Sequence, residues 1–282
     1  PGSLSAFDEP QRLLLEQYSA GLADTVVETI GRALAELAPA RLAAGQTQAG
    51  FAANRRNNAE SKRAELAEKG ALAGPTEHSV PVLAAYQPDG KLRAVLFGYA
   101  CHNTTLPGSF YKWCGDYAGF AQTDLEQSHP GATALFFIGC AGDQDPVVRG
   151  SLELAQRYGN MLATAVEGVL SAPPTNLPPT LKTTMEMIPL NFGPAPTAAE
   201  LEKYAGDPTP YVRRWATNLL AELKSGKPLE RAYPYPVQAW QFGGRQLLIT
   251  LGGEPVVDYA IKFKHEFGQQ TWVAGYGNDV MC

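Results

Sequence analysis

Apolar and polar positions recur along this chain with two different periods, and the switches between them set out most of its secondary structure. Leu14, Tyr18, Leu22, Val26, Ile30, Leu34 and Leu37 fall at helical spacing, predicting an amphipathic helix over roughly 8–38 that Pro39 closes. A strand near 40–44 follows, then a polar, charged stretch over 52–75 that reads as a surface excursion with one helical turn. Apolar runs at 80–86 and 92–100 flank Pro88-Asp89-Gly90-Lys91, a strong hairpin signal. Helices are predicted over 117–127 and 151–170, the second with Leu154, Tyr158, Met161, Leu162, Ala165, Val166 and Val169 on one face, and a strand over 132–138 lies between them. Beyond the proline-rich connector at 173–179 come a strand at 181–190, a helical pair at 197–205 and 209–225, and a hairpin of 237–242 with 246–251 about Gly243-Gly244. A helix over 255–266, with Pro255 at its first position, and a short strand at 271–274 complete the chain. Hairpins interleaved with strand–helix units predict an α/β fold: mixed β-sheets flanked by helical layers.

Four of these strands run directly into loops of chemically capable residues. Leu92–Ala100 ends in Cys101-His102-Asn103-Thr104-Thr105, and Ala132–Ile138 in Gly139-Cys140-Ala141-Gly142-Asp143-Gln144-Asp145-Pro146. Gln246–Leu251 ends in Gly252-Gly253-Glu254-Pro255, and Thr271–Ala274 in Gly275-Tyr276-Gly277-Asn278-Asp279. Ligands in α/β sheets sit beyond the carboxyl ends of strands. Four parallel neighbours would therefore gather one histidine and several carboxylates into one site, the arrangement of a metal-assisted hydrolase.

Composition narrows the classes. The 282 residues, 45% apolar and 18% charged, are enough for one large domain or two small ones. A net charge of −5 with no basic block argues against nucleic acid as a partner, and no apolar run is long enough to form a transmembrane segment. The four cysteines, 101, 114, 140 and 282, are too scattered for a disulfide framework, and Cys101 and Cys140 read as small core thiols. Because the chain opens on Pro1-Gly2 and closes just after a strand, it reads as a fragment, in which a missing signal peptide says nothing about export. Oligomeric state is not legible.

Each candidate has two readings. His102 is either a core histidine bonded to the backbone or a zinc ligand. Glu254, at the start of a helix, either complements the helix dipole or serves as a metal or general-base carboxylate. Asp143 and Asp145 either make an Asx turn with a helix cap, or orient a water or a ligating histidine. Arg149 steadies that loop or binds substrate, and Asp116 caps a helix or joins the site. Phe110, Tyr111 and Trp113 either pack or line an apolar cleft, while His78, His129 and His265 read as surface residues. There is no Gly-x-Ser-x-Gly elbow, His-Glu-x-x-His helix or phosphate loop.

Leu96-Phe97-Gly98-Tyr99-Ala100-Cys101-His102-Asn103-Thr104-Thr105, followed by Gly115-Asp116-Tyr117-Ala118-Gly119, resembles a signature of the neutral (non-lysosomal) ceramidase family. Phe137–Pro146 resembles that family's Gly-Asp-Val-Ser-Pro loop, and Asn54-Arg55, Gly253-Glu254 and Ala274–Asn278 resemble further segments, so the resemblance spans roughly 10–282. It implies a single catalytic domain, without the family's C-terminal immunoglobulin-like domain, that uses zinc to cleave the N-acyl bond of a lipid-like small molecule. It further implies secretion or a periplasmic location. On it, His102 and Glu254 become zinc ligands; the residues themselves add the expectation that Asp143 and Asp145 are catalytic and that Asn103, Asp116 and Arg149 bind substrate. A second histidine ligand would precede Pro1, and the tyrosine ligand would fall near or past Cys282, with Tyr276 too early for it. Where the family has its proposed catalytic serine, this chain has Asp145. A metal-activated water survives that change, with Asp145 orienting or deprotonating it. Two alternatives stand beside this expectation: a catalytically silent binding module, and a metal-independent hydrolase using the Asp143/Asp145 pair.

Overall fold

A computed structural model describes residues 9–226 and 228–280. In chain order the elements are α1 (Glu9–Ala35), β1 (Arg41–Gln48), β2 (Ala52–Asn54), α2 (Glu60–Glu68), β3 (Ser79–Tyr86), β4 (Leu92–Tyr99) and α3 (Asp116–Ser128). They continue with β5 (Thr133–Ile138), β6 (Gln144–Pro146), α4 (Leu152–Leu170), β7 (Thr175–Asn176), β8 (Leu181–Asn191), α5 (Ala198–Tyr204) and α6 (Pro210–Lys224). Last come β9 (Ala232–Phe242), β10 (Gln246–Leu251), α7 (Val257–Phe267) and β11 (Trp272–Ala274). The chain forms two compact units. The larger gathers Pro39–Met187 and the stretch from Pro236 onward; the smaller gathers the stretch up to Ala38 with Ile188–Tyr235.

The sheets are mixed and the helices flank them, as the patterning predicts. One sheet runs β5-β4-β3-β1-β7, a second β11-β10-β9-β8, and β2 pairs with β6 in a short third. The Asp89-Gly90 turn closes the antiparallel β3–β4 hairpin, with Gly90 at φ 87°. β4 and β5 are parallel, which requires a crossover, and α3 supplies it. β10 and β11 are also parallel. The four site-bearing strands are thus two parallel pairs in two different sheets rather than four neighbours in one. Hairpin partners explain the difference: β3 occupies the second edge of β4 and β9 the second edge of β10, each through a short loop. The sheets meet where Gly139 bridges Ala274 and the Gly275 amide donates to the Ile138 carbonyl at 2.9 Å, so the loop-bearing strand ends still converge.

Beneath the first sheet, α3 and α4 bury Tyr117, Leu125, Leu162 and Val166 against Val80, Val95 and Phe97. Phe51 is the centre of an aromatic cluster. Its ring lies 4.5 Å from that of Tyr99, 5.1 Å from Tyr117 and 4.7 Å, stacked, from Tyr158. The buried hydroxyls are satisfied: Tyr99 donates to the Ala49 carbonyl at 2.7 Å, and Tyr117 donates to that of Cys101. Burial raises both phenols well above 10.0. It likewise raises the Cys140 thiol to about 12, and Cys101 and Cys140 are the core thiols the pattern suggested. Cys282 lies outside the described residues.

Several expectations need correction. The 52–75 excursion holds a strand, β2, and a nine-residue helix, α2, whose single buried residue is Arg63. Met161 on α4 points outward, 39% exposed, and Ala163 is buried instead. Val257 is the first residue of α7 behind Val256 as N-cap, so Pro255 precedes the helix. In the smaller unit α1 is helical but buries none of its residues, and Leu14, Tyr18, Leu22, Val26, Ile30 and Leu34 are exposed. A small core of Leu201, Ala216 and Leu220 joins α5, started by a Thr197–Glu200 capping box, to α6, started by Pro210. No helix among the described residues is long and apolar enough to cross a membrane.

Truncating Phe51 to alanine removes the ring shared by three tyrosines and is expected to cost about 3–5 kcal/mol. A lower urea midpoint at unchanged slope is the measurement, and a shift under about 1 kcal/mol would refute the central role of this ring.

Candidate functional site

The local fold brings each site residue to one place by a separate tie. At the end of β4, the His102 amide and its Nδ1 both meet the Gln144 carbonyl, at 2.9 and 3.0 Å. A carbonyl only accepts, so Nδ1 carries the proton and Nε2 presents a lone pair. After β5, Gly139 passes so close to Ala100 that an added Cβ would sit 2.8 Å from the alanine methyl. Gly142 lies against the backbone before α7, where a Cβ would be 2.5 Å from the Glu254 carbonyl oxygen, and its amide donates to the Pro255 carbonyl at 3.0 Å. Val256 offers no capping side chain to α7; Asp143 does so instead, its Oδ1 accepting from the Val257 amide at 2.8 Å. The other oxygen of Asp143 accepts from Asn54 Nδ2 at 3.0 Å.

Two side chains converge on the open side of the His102 ring, and Arg55 stands beside one of them. Nε2 lies 3.5 Å from Glu254 Oε2 and 3.4 Å from the Tyr276 hydroxyl. Tyr276 reaches this position from the loop after β11 in a left-handed conformation, φ 55°, held by its amide donating to the Gly253 carbonyl at 2.9 Å. Its phenol is pushed up to about 12, by burial first and then by the Glu254 charge and hydrogen bond. Arg55 is anchored by donating to the Gly142 carbonyl at 2.7 Å, and its guanidinium stands 4.0 Å from both Glu254 and Asp145. The Glu254 side chain is 52% exposed, so the group opens to solvent.

Asp145 stands behind the imidazole. Its side chain is 5% exposed, with Oδ1 at 3.7 Å from His102 Nδ1 and Oδ2 at 3.2 Å from Arg63 and 3.6 Å from Arg149. Oδ1 makes no hydrogen bond that meets ordinary geometry. Buried charges persist when paired, and here two arginines supply the pairing.

The seven residues singled out in the sequence are therefore distributed unevenly. His102 and Glu254 face each other, and Asp145 touches the far side of the ring. Asp143 is fully engaged as a cap and an amide acceptor, so it does not form a carboxylate dyad with Asp145. Asp116 is a loop clamp: at φ 53° it accepts from the Tyr117 amide at 2.7 Å and the Leu106 amide at 2.9 Å, and it is 4% exposed. Arg149 is tied to Glu60 at 2.6 Å as well as to Asp145, and Asn103 is exposed. Tyr111 and Trp113 are each 93% exposed, so neither is core packing. His78 is half-buried against the Ala52 carbonyl, His129 is half-buried against Glu167, and His265 is exposed. Tyr276 is present in the group despite its early position in the sequence. Its setting beside glycines in a loop just after a strand is close to the one that marked Glu254, which follows Gly252-Gly253. For Arg63 no such signal exists.

Ligand atoms held about 2.0–2.2 Å from a tetrahedral zinc stand roughly 3.3–3.6 Å apart. The 3.4 and 3.5 Å separations around Nε2 fall in that range, and the donors are of the nitrogen and oxygen types zinc accepts. Among the described residues no group of three or more histidine, cysteine or acidic side chains is placed to hold a metal ion, so this donor set relies on the tyrosine.

In fold, the chain is similar to neutral ceramidases. The chain superimposes on the neutral ceramidase of Pseudomonas aeruginosa with a TM-score of 0.62 at 16% identity, over 90% of this chain and 48% of that one. A ceramidase complexed with C2 gives 0.59 at 15% identity, over 87% and 48%. The chain thus spans about half the length of the solved structures it matches. Neither a family model nor a curated protein sequence matches it.

Asp143→Ala is expected to destabilise the protein by about 0.5–2 kcal/mol through loss of the cap on α7. Gly142→Ala, which drives a methyl into backbone, should cost about 1–3 kcal/mol. Chemical denaturation of both variants provides the check, and a neutral Gly142→Ala would show that the loop and Glu254 are not in close register.

Proposed function

We propose that this chain carries the metal centre of a zinc-dependent hydrolase that cleaves linear amide (N-acyl) bonds in a lipid-like small molecule, as a ceramidase does. The observation that carries this reading is the meeting of His102 Nε2, Glu254 Oε2 and the Tyr276 hydroxyl at spacings a single zinc ion would span. The likeness to ceramidase folds supports it. His102, Glu254 and Tyr276 would hold the ion, which when bound lowers the pKa of a coordinated water toward ~7 and polarises a carbonyl. The Gln144 carbonyl keeps the His102 proton on Nδ1, and Asp145 adds its negative charge on that side, so Nε2 stays free to donate its lone pair. Asp145 thus acts through the imidazole rather than on a water at Nε2. Arg55, 35% exposed, keeps a fixed positive charge beside Glu254 where a developing acyl oxyanion would be stabilised.

One observation favours a second reading, a chain that binds such a lipid without cleaving it. The residue in the place of the family's serine is a carboxylate locked by Arg63 and Arg149, which removes a nucleophile from that loop.

Metal analysis of the intact protein should find one zinc. His102→Ala and Glu254→Ala should each weaken zinc binding by at least ten-fold, and Tyr276→Phe should do so to a lesser degree. Hydrolysis of short-chain N-acyl amides should fall about a hundred-fold or more in His102→Ala. Undiminished turnover by folded, metal-free protein would sink the zinc reading, whereas retention of the lipid with no product would select the second.

A further inference from the structure

Away from the site lies a buried ion pair that the mechanism does not use. Lys264 Nζ on α7 is 2.6 Å from Glu77 Oε2, with side-chain exposures of 9% and 15%. Ser79 at the start of β3 joins them: Lys264 donates to its hydroxyl, that hydroxyl donates to Glu77, and the Ser79 amide donates to Glu77 Oε1 at 2.7 Å. A pocket of about 20 Å³ beside the pair is lined by Tyr99, Cys140, Ala260 and Trp272, so its surroundings are largely apolar. A buried pair in such surroundings gains little stability over well-packed apolar residues of the same volume, because desolvating two charges offsets their attraction. Burial tends to raise the Glu77 carboxyl, but its bonds to Lys264 and Ser79 outweigh that and hold it below 4.5.

What the pair does supply is register, in two directions. On one side the Glu77 amide donates to the Gln144 side-chain oxygen at 2.8 Å, and the Gln144 amide group donates in turn to the Ala100 carbonyl. The main-chain carbonyl of this same Gln144 accepts from the His102 backbone amide and from its ring Nδ1. On the other side Lys264 fixes the rotation of α7 about its own axis. The start of α7 is already tied to the 142–143 loop through Val257, and the residue before its cap through Pro255. Glu254 lies three residues before the first residue of that helix. One ion pair therefore links the backbone that aims His102 with the helix that aims Glu254.

We propose that Glu77 and Lys264 are positioning residues for the candidate metal centre, setting the His102–Glu254 separation; this rests on the zinc reading above. The double variant Glu77→Leu/Lys264→Met removes both charges together and leaves neither of them unpaired. In the intact protein it is expected to unfold thermally as the wild type does at neutral pH, yet to bind zinc at least ten-fold more weakly in chelator competition. The visible spectrum of the cobalt-substituted protein, which reports ligand geometry and not stability, is expected to change. Lys264→Arg, which keeps the charge but alters its reach, serves as the second variant where the double variant fails to fold, with the same two readouts. Wild-type affinity together with a wild-type cobalt spectrum in the folded variant would overturn the positioning role and leave the zinc reading intact. Absence of zinc and cobalt binding in the wild type would overturn both.

Discussion

Burying the Asp145 carboxylate is the constraint around which the larger unit is arranged. A charge at 5% exposure has to be matched at close range, and the match comes from Arg63 on α2 and Arg149 before α4. This accounts for a helix as unpromising as α2, which has almost no apolar face and yet buries an arginine: its anchor is electrostatic. The same pairing holds β6 in register with β2, where Ala53 stands opposite Asp145. The loop that carries Asp145 also carries the Gln144 carbonyl and the Asp143 cap, so fixing one residue fixes the backs of both His102 and α7.

From that anchor the geometry of the open side follows. Two parallel strand pairs from separate sheets meet at the Gly139–Ala274 bridge, and their loops are glycine-rich because backbone has to touch backbone there. Close approach of Gly142 to Glu254 and the turn that aims Tyr276 both depend on it. The result is a layered imidazole: proton and negative charge on the Nδ1 side, lone pair and oxygen donors on the Nε2 side. Such polarity is what a metal-binding histidine takes from the groups that hold its other nitrogen. Asp145 lies on the Nδ1 side of the histidine, away from the side that Glu254 and Tyr276 occupy.

Much of this was legible locally. Helical and strand periods located most elements, because in most of them the period follows which side chains face a buried surface; α1, which shows the period and buries no residue, departs from this. The Asp89-Gly90 and Gly243-Gly244 turns were readable because positive φ demands glycine, and His102 and Glu254 stood out because each ends a buried strand in a short polar loop. Asp116 and Asp143 stayed ambiguous for a related reason: an acid at a loop–helix junction looks the same in sequence whether it binds substrate or clamps backbone. Only the observed acceptors, Leu106 and Tyr117 for one and Val257 and Asn54 for the other, separate the two.

By itself the sequence determined the α/β class, the two hairpins and the strand ends that carry chemistry, since these depend on residues within a few positions of one another. Tertiary structure alone decided that the four strands divide between two sheets, that Arg63 crosses 82 positions to meet Asp145, and that Tyr276 crosses 174 to meet His102. Those pairings rest on long-range burial and on which sheet edges the hairpins have already filled. Nothing in the local pattern of the chain records either.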